Sequence, residues 1–341
     1  MHSFAALSHN QQAKSLQHLA QSALTAYDLP ETRLTPLRFT NNAIFKVETA
    51  SAPANTLAYV LRIHRPRYRS SAETRSELQY IQALRREVGL ALPEPVSTRQ
   101  GDLITIAFIE GIDEPRHCDL VTWLDGRVCR PHQGLGLKGT YRLGEALGRM
   151  HLFSQDFHAP PGFRLPRWDA DGLFTEASSY KPGSLEALFS PADRADFMVI
   201  EQRTRATFRA LGQKSQSFGV IHADFILGNC LFHKKKVQVV DFDDYGWGYF
   251  LYDMCRLLGN LKDYPEYPVL RRAFLAGYRS VHALPRELED AVDVLIAARH
   301  ASSCLWIAGC QGNGGMGPDI REHVAYRMEE MQSYLSASAH I

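Results

Sequence analysis

The sequence predicts an α+β fold in which a small strand-rich N-terminal part is followed by a larger, mostly helical part. Over about the first 120 residues, short apolar runs of β-forming residues dominate, and one long helix follows the third of them. Beyond Gly126 the apolar residues recur mainly at helical spacing. The length of 341 residues is enough for two domains of ordinary size.

The N-terminal part begins with a predicted helix over Gln11–Tyr27. Two runs of β-forming residues, Ile44–Glu48 and Leu57–Ile63, are separated by turn-forming residues, and this arrangement predicts a β-hairpin. A second helix is predicted over Ser70–Glu87, where two prolines follow. The other predicted strands are Leu37–Thr40, Leu103–Ile109 and Leu120–Leu124.

The C-terminal part opens with a predicted helix over Tyr141–Phe153, and a longer helix is predicted over Ala192–Ala210. From Tyr252 onward the pattern predicts helices joined by loops. Three short strands are predicted between these regions, namely Phe218–His222, Cys230–Phe232 and Val237–Phe242.

The charge balance argues against a polyanionic partner. The chain has 38 Lys and Arg against 37 Asp and Glu, a net charge of +1, so no overall field would attract nucleic acid or an anionic membrane. No apolar run approaches the roughly 18–20 residues of a membrane span, and no secretory leader is evident. The six cysteines form no C-x-x-C pair, which is typical of free thiols in a reducing compartment. We therefore expect a cytoplasmic protein without nucleic-acid or membrane partners.

The chemically informative stretch is Val220–Asp253. It contains His222, Asp224 and Asn229 in the spacing H-x-D-x-x-x-x-N, and Asp241 follows twelve residues later, after an apolar strand. Oxygen atoms at the ends of two paired strands can converge on one point, and oxygen ligands are those that Mg²⁺ prefers. A carboxylate in the preceding loop can accept the proton of an alcohol while a metal neutralises phosphate charge.

This stretch resembles the aminoglycoside phosphotransferase and choline-kinase superfamily, more narrowly the branch of homoserine kinase type II and stress-response kinase A. The resemblance extends over nearly the whole chain and includes Asn41–Val47, Tyr59–Pro66, Trp123–Arg127 and Val239–Gly248. It implies a bilobal protein-kinase-like fold, with an N-lobe over residues 1–121 and a C-lobe over residues 122–341. It also implies that ATP and Mg²⁺ are the cofactors.

The same resemblance gives the catalytic-loop residues their expected roles. Asp224 would be the catalytic base, and Asn229 and Asp241 would hold Mg²⁺. His222 would support the loop beneath the metal. Asp253 would either brace the backbone of the catalytic loop or act as a simple helix cap.

Kinases of this fold place a cation on the third strand and pair it with a helix Glu, and here the strand offers Arg62 instead of Lys. Arg is a permanently charged phosphate clamp. The matching helix residue is Glu77, with Glu73 as a rival one turn earlier. The nearby Arg65, Arg67 and Arg69 are expected to lie in a solvated loop.

The usual glycine-rich loop over the phosphates is absent. Asn41 and Asn42 stand in its place, and Asn tolerates turn conformations that otherwise need Gly. The resemblance implies that backbone groups of Thr122 and Leu124 contact adenine. A glycine-rich segment, Gly309–Gly317, follows a helix and lacks the Lys-Ser/Thr pair of a P-loop, so we expect a flexible connection there, with a lid as the alternative.

The acceptor is expected to be the hydroxyl of a small molecule, such as an amino alcohol or a homoserine-like or aminoglycoside-like compound. Only eleven residues separate Asp241 from Asp253, without the A-P-E close of a protein-kinase activation segment. The candidate acceptor site contains Asp243, Asp244, Arg299 and Trp306.

Two other functions stay open from the sequence. The first is a protein Ser/Thr kinase of the stress-response type. The second is a non-catalytic nucleotide-binding regulator, against which the joint presence of Asp224, Asn229 and Asp241 argues.

Overall fold

The computed structural model describes residues 4, 7–39, 42–49, 57–66, 68–109, 112–175, 177–178, 189–310 and 320–338. The helices in these ranges are α1 (His9–Leu24), α2 (Ser71–Val88), α3 (Leu137–Gln155), α4 (Ala170–Phe174), α5 (Pro191–Leu211), α6 (Phe250–Lys262), α7 (Tyr267–Arg279), α8 (Ala291–Cys310) and α9 (Ile320–Ala337). The strands are β1 (Thr32–Phe39), β2 (Ala43–Thr49), β3 (Ala58–Ile63), β4 (Pro95–Val96), β5 (Thr105–Ile109), β6 (Ile112–Thr122), β7 (Arg127–Val128), β8 (Arg167–Trp168), β9 (Phe218–Ile221), β10 (Cys230–His233), β11 (Lys236–Val239) and β12 (Gly246–Tyr249).

The N-terminal sheet has the strand order β1-β2-β3-β6-β4, and β5 pairs with β6 on the side. The predicted hairpin is present as the antiparallel pair of β2 and β3. Along β2, alternate residues are buried, with Phe45 and Val47 fully inside, because successive side chains of a strand point to opposite faces. These side chains and Leu61 form one apolar cluster with the buried face of α1.

Helix α2 begins at Ser70, whose side chain caps the backbone N–H of Glu73 while the Glu73 carboxylate accepts from the backbone N–H of Ser70. The helix ends at Gly89, which takes the left-handed conformation at φ 65°. Since Glu73 is used in this capping box, it is not the partner of the cation on β3. Glu77, one turn further, is buried against that strand.

The C-terminal part is built around helices, as predicted from Tyr252 onward. Helices α3 and α7 approach so closely that a Cβ at Gly144 would lie 2.0 Å from the carbonyl oxygen of Phe274. This close packing buries His151 of α3 beneath the catalytic loop.

Several of the short strands differ from the prediction, and β4, β7 and β8 were not predicted. β9 ends at Ile221 and β11 at Val239, earlier than expected, because Ala223 and Asp241 adopt positive φ values that no strand continues through. Strand β12 was not predicted, since its glycines are poor strand formers. A Cβ at Gly246 would lie 2.6 Å from the indole of Trp168, so the glycine is required by the packing.

Most of helix α8 belongs to Arg286–Ala308, which is the one segment of the described residues that is long and apolar enough to cross a membrane by length and composition. Of its most apolar window, 83% is buried inside the protein, which is the property of a core helix. Cys118, Cys129, Cys230, Cys255 and Cys304 are buried free thiols.

Candidate active site

The catalytic-loop residues lie in a cleft of about 200 Å³ between the N-terminal sheet and the helical part. Its walls include the predicted Asn42, Asp224, Asn229, Asp241, Asp243, Asp244, Arg299 and Trp306. A larger cavity of about 660 Å³ lies between α2 and α3. We assign the site to the smaller cleft, because it gathers the carboxylates and amides that phosphate chemistry requires.

Asp253 holds the catalytic loop from below. Its carboxylate is fully buried and accepts hydrogen bonds from the backbone N–H groups of His222 and Ala223, both at 2.8 Å. Its Oδ2 also lies 3.1 Å from His151 Nε2. Ala223 has φ 59°, a conformation that non-glycine residues rarely adopt, so the two charge-assisted bonds stabilise a strained turn. Asp253 stands in the first turn of α6, whose N-cap is Tyr249, so it is not a helix cap.

Asp224 follows this turn, and its two oxygens have different partners. Oδ2 accepts from Asn229 Nδ2 at 2.9 Å. Oδ1 accepts from Arg256 Nε at 2.8 Å and lies 3.6 Å from Arg299 Nη2. Burial disfavours ionisation of Asp224, but the charges of Arg256 and Arg299 outweigh it and hold the pKa below its ordinary value.

The two predicted metal ligands stand at the open end of the hairpin of β10 and β11. The backbone N–H of Val240 donates to the carbonyl of Asn229 at 3.0 Å, which ties the chain before β10 to the chain before Asp241. The His222 ring lies 3.1 Å from the Val240 carbonyl and so supports the same junction. Since Asn229 uses its amide nitrogen on Asp224, its amide oxygen is the atom that can face a cation.

Asp241 lies in the cleft with its side chain partly exposed. Burial, with the negative charges of Asp243 and Asp224, raises its pKa to about 6, although 35% of the side chain remains open to the cleft. The described residues contain no cluster of three or more His, Cys, Asp or Glu arranged to hold a metal. A metal on Asn229 and Asp241 would therefore take its other ligands from water and phosphate, which is how Mg²⁺ is usually bound.

The predicted pair of Arg62 and Glu77 is present, with Arg62 Nη1 donating to Glu77 Oε1 at 2.7 Å. Arg62 has a second partner that was not predicted: its Nε donates to Asp119 at 2.9 and 3.1 Å. Among the described residues, Nη2 of Arg62 has no hydrogen-bond partner, but this atom is buried, and Arg62 does not line the cleft. The role of the pair in binding ATP stays a prediction.

His64 connects the cluster of Arg62, Glu77 and Asp119 to Asp243. Its Nε2 lies 2.5 Å from Asp119 and its Nδ1 lies 3.5 Å from Asp243. Burial disfavours the charged ring, but the two carboxylates outweigh it and raise the pKa of His64 to about 9. Burial also opposes ionisation of Asp243. This effect is outweighed by the positive charges of His64, Arg69 and Arg62, which lower the pKa of Asp243.

The expectation that Arg69 lies in a solvated loop is wrong. Arg69 is buried. It donates to the carbonyl of Asp243 at 3.2 Å and lies 3.7 Å from the carboxylate of Asp244, so its positive charge offsets the negative charge of these acids. Tyr68 donates its hydroxyl to the same Asp244. Arg67 lies outside the described residues.

Of the remaining predicted nucleotide contacts, Asn41 lies outside the described residues. Asn42 is buried and accepts from the backbone N–H of Arg65 at 3.0 Å. The backbone N–H of Thr122 donates to the Glu94 carbonyl at 2.9 Å, so a contact between Thr122 and a base cannot use this donor. The roles of Thr122 and Leu124 stay predictions. Residues 311–317 of the glycine-rich segment lie outside the described residues.

Sequence reasoning missed five charged residues in or beside the site: Arg38, His64, Asp119, Arg256 and Arg327. A signal existed for Arg256, which lies three residues after Asp253 and so on a neighbouring position of the same helix face. No signal existed for Asp119, which is 57 positions from Arg62 in the chain.

Known proteins are similar to this chain in sequence and in fold. A homoserine kinase from Mesorhizobium japonicum is 25% identical over 315 residues, 88% of each chain. Amicoumacin kinase from Bacillus subtilis (strain 168) is 30% identical over 129 residues, a stretch that spans 38% of this chain but only 35% of that relative.

Among solved structures, the microcompartment-associated aminopropanol kinase has a TM-score of 0.79 at 24% identity and covers 94% of this chain and 98% of its own. The amicoumacin kinase hAmiN, solved with AMP-PNP and Ca²⁺, has a TM-score of 0.74 at 20% identity and covers 96% of both chains. These likenesses confirm the predicted α+β, protein-kinase-like fold. The model of the phosphotransferase enzyme family, APH, matches residues 35–290. The chain therefore belongs to the phosphotransferase enzyme family.

Proposed function

We propose that the chain transfers the γ-phosphoryl group of ATP to a hydroxyl group of a small molecule. The observation that carries this proposal is the convergence of Asp224, Asn229 and Asp241 in one cleft. The cleft lies between the parts of the chain that we assign to the N-lobe (1–121) and the C-lobe (122–341). Relatives named as homoserine and amicoumacin kinases support a small-molecule acceptor.

In this reaction the acceptor oxygen forms a bond to the γ-phosphorus as the bond from that phosphorus to the bridging oxygen breaks, and ADP leaves. Asp224 is ionised at neutral pH, so it accepts the hydrogen bond of the acceptor hydroxyl, orients it and takes its proton. Mg²⁺, held by Asn229 and Asp241, would neutralise phosphate charge when bound.

The N-terminal residues contribute by holding the nucleotide. Arg62 is fixed by Glu77 and Asp119, and its buried Nη2, which has no partner among the described residues, is the donor that would bind a phosphate oxygen once the nucleotide is in place. Asn42 lies at the cleft wall, where the glycine-rich loop of other kinases would cover the phosphates. Leu124 and Thr122 are the proposed adenine contacts.

The test is ADP release by the purified protein with 1-amino-2-propanol, L-homoserine, an aminoglycoside or casein as acceptor. We expect release that depends on a small acceptor and on Mg²⁺ and that falls by roughly 10²–10⁴-fold in Asp224→Asn. The matched control is Asp28→Asn, because this carboxylate is 97% exposed. Release with casein alone would support the protein-kinase alternative, and binding of Mg-ATP without turnover of any acceptor would support the regulator.

A further inference from the structure

Three arginines from three helices meet beside the catalytic carboxylate. Arg256 on α6, Arg299 on α8 and Arg327 on α9 all line the cleft. Arg256 and Arg299 both face the same oxygen of Asp224, at 2.8 and 3.6 Å. One carboxylate therefore serves two guanidinium groups.

We call the group formed by Arg256, Arg299 and Arg327 the arginine corner. The positive charge of Arg327 is not balanced by a carboxylate of the described residues. In the part of the chain that the structure describes, no carboxylate lies within ion-pair distance of Arg327, and its Nη1 contacts His300 Nδ1 at 3.5 Å. Its Nε is buried without a hydrogen-bond partner among these residues. His300 is no counter-ion, because burial and the surrounding cations lower its pKa to about 3 and keep the ring neutral.

The electrostatics agree with this geometry. Burial and the charges of Arg256 and Arg299 lower the pKa of Arg327 to about 10, as expected for a cation that faces other cations. The other cleft carboxylates have partners of their own: Asp241 faces Arg38, Asp243 faces His64, and Asp244 contacts Tyr68 and Arg69. Among the described residues, Asp224 is the carboxylate that faces Arg256 and Arg299, and none is within ion-pair distance of Arg327.

The position of this corner assigns an anion bound there to the acceptor. The proposed phosphate grip, Arg62 and Asn42, belongs to the N-terminal sheet, whereas the arginines stand on C-terminal helices. Arg299, Ser303 and Trp306 follow each other at helical spacing along α8 and all line the cleft. An acceptor whose hydroxyl reaches Asp224 would lay its remaining atoms along this face.

We propose that the acceptor carries a carboxylate, which Arg299 and Arg327 bind while Asp224 holds the reacting hydroxyl. The inference rests on the phosphotransfer proposed above. A planar guanidinium matches a carboxylate with paired hydrogen bonds. A compound that offers only an ammonium group is repelled by the arginine corner.

The experiment compares three acceptors that each carry a primary hydroxyl group at the end of a short alkyl chain. L-Homoserine has both a carboxylate and an ammonium group, 3-aminopropan-1-ol lacks the carboxylate, and 4-hydroxybutanoate lacks the ammonium group. We expect kcat/KM for L-homoserine and for 4-hydroxybutanoate to exceed that for 3-aminopropan-1-ol by about tenfold or more. This is the effect expected from charge-assisted hydrogen bonds to a carboxylate. Arg327→Met should remove this preference without changing the KM for ATP, and Arg327→Lys should restore part of it.

Arg272→Met is the matched control, because Arg272 is an exposed arginine of α7 outside the cleft. Equal rates with all three acceptors, or an equal loss in Arg327→Met, would overturn the inference and leave the phosphotransfer proposal standing. If all three are inert, calorimetric titration of 4-hydroxybutanoate into protein saturated with Mg-AMP-PNP decides. No binding, or binding that Arg327→Met leaves unchanged, overturns the inference. A failure to bind Mg-AMP-PNP would instead overturn the proposed function.

Discussion

Replacing Arg62 by Met should destabilise the protein by an amount that grows with pH. Arg62 contacts Glu77 at 2.7 Å and Asp119 at 2.9 Å, and all three side chains are buried. Methionine keeps the apolar stem but removes the cation. Asp119 retains His64 as a partner, whereas Glu77 is left without its cation. Breaking a buried ion pair in this way costs about 3–5 kcal/mol.

The pH dependence follows from Glu77. Burial, despite the charge of Arg62, raises the pKa of Glu77 from 4.5 to about 7. Between these two pH values the folded protein holds a proton on Glu77 that the unfolded chain has released, so the contribution of Glu77 to stability falls over this range and is level above about pH 7. Without Arg62 the pKa of Glu77 rises further, so stability keeps falling above pH 7, by about 1.4 kcal/mol per pH unit.

Urea denaturation at about pH 7 and about pH 8.5 measures this effect. The gap between wild type and Arg62→Met should widen by about 2 kcal/mol over that interval. It should not widen when Glu77→Gln is present in both proteins. Because the pKa of His64 is raised from 6.5 to about 9 in the folded protein, its contribution to stability falls with pH across the interval, and the pair of proteins with Glu77→Gln subtracts this contribution. Arg272→Met controls for the loss of charge. A gap independent of pH in the Glu77 background would refute the reasoning.

The other predictions concern the catalytic loop. Asp224→Asn should keep the affinity for Mg-ATP, measured by calorimetry, while kcat falls by roughly 10²–10⁴-fold; a kcat within a few-fold of wild type would remove Asp224 as the base. Asn229→Ala and Asp241→Ala should each raise the Mg²⁺ concentration needed for half-maximal activity, more so for Asp241→Ala because it also removes a charge, and an unchanged requirement in both would contradict the metal assignment. Asp253→Asn should lower the free energy of unfolding by about 3 kcal/mol, since one of two backbone N–H groups would face an NH₂ group; a loss below about 1 kcal/mol in denaturant unfolding would show that the bracing bonds are weak.

The parts that could be predicted from the sequence are those in which spacing along the chain fixes spacing in the fold. His222, Asp224, Asn229 and Asp241 lie within 20 residues, and a tight hairpin brings their ends together. Arg62 and Glu77 are similarly close in the chain, on adjacent elements β3 and α2. Local pattern is sufficient for such pairs.

The parts that could not be predicted depend on distant contacts or on backbone strain. Asp119 reaches Arg62 because β6 pairs with β3, a register that no local pattern specifies. The early end of β11 comes from the positive φ of Asp241, which the apolar run before it does not reveal. The burial of Arg69 follows from its two acidic neighbours across the cleft, so a run of arginines alone predicted the wrong environment.

The arginine corner shows why composition and ligand preference answer different questions. A net charge of +1 argues against a polyanionic partner, because the far field of a molecule sums all its charges. A ligand in a cleft instead experiences charges within a few ångströms, where the field is less screened. Arg256, Arg299 and Arg327 are far apart in the chain, and only the packing of α6, α8 and α9 places them together. The proposed selectivity of the cleft for the acceptor is therefore a property of helix packing, and it cannot be read from the net charge of the sequence.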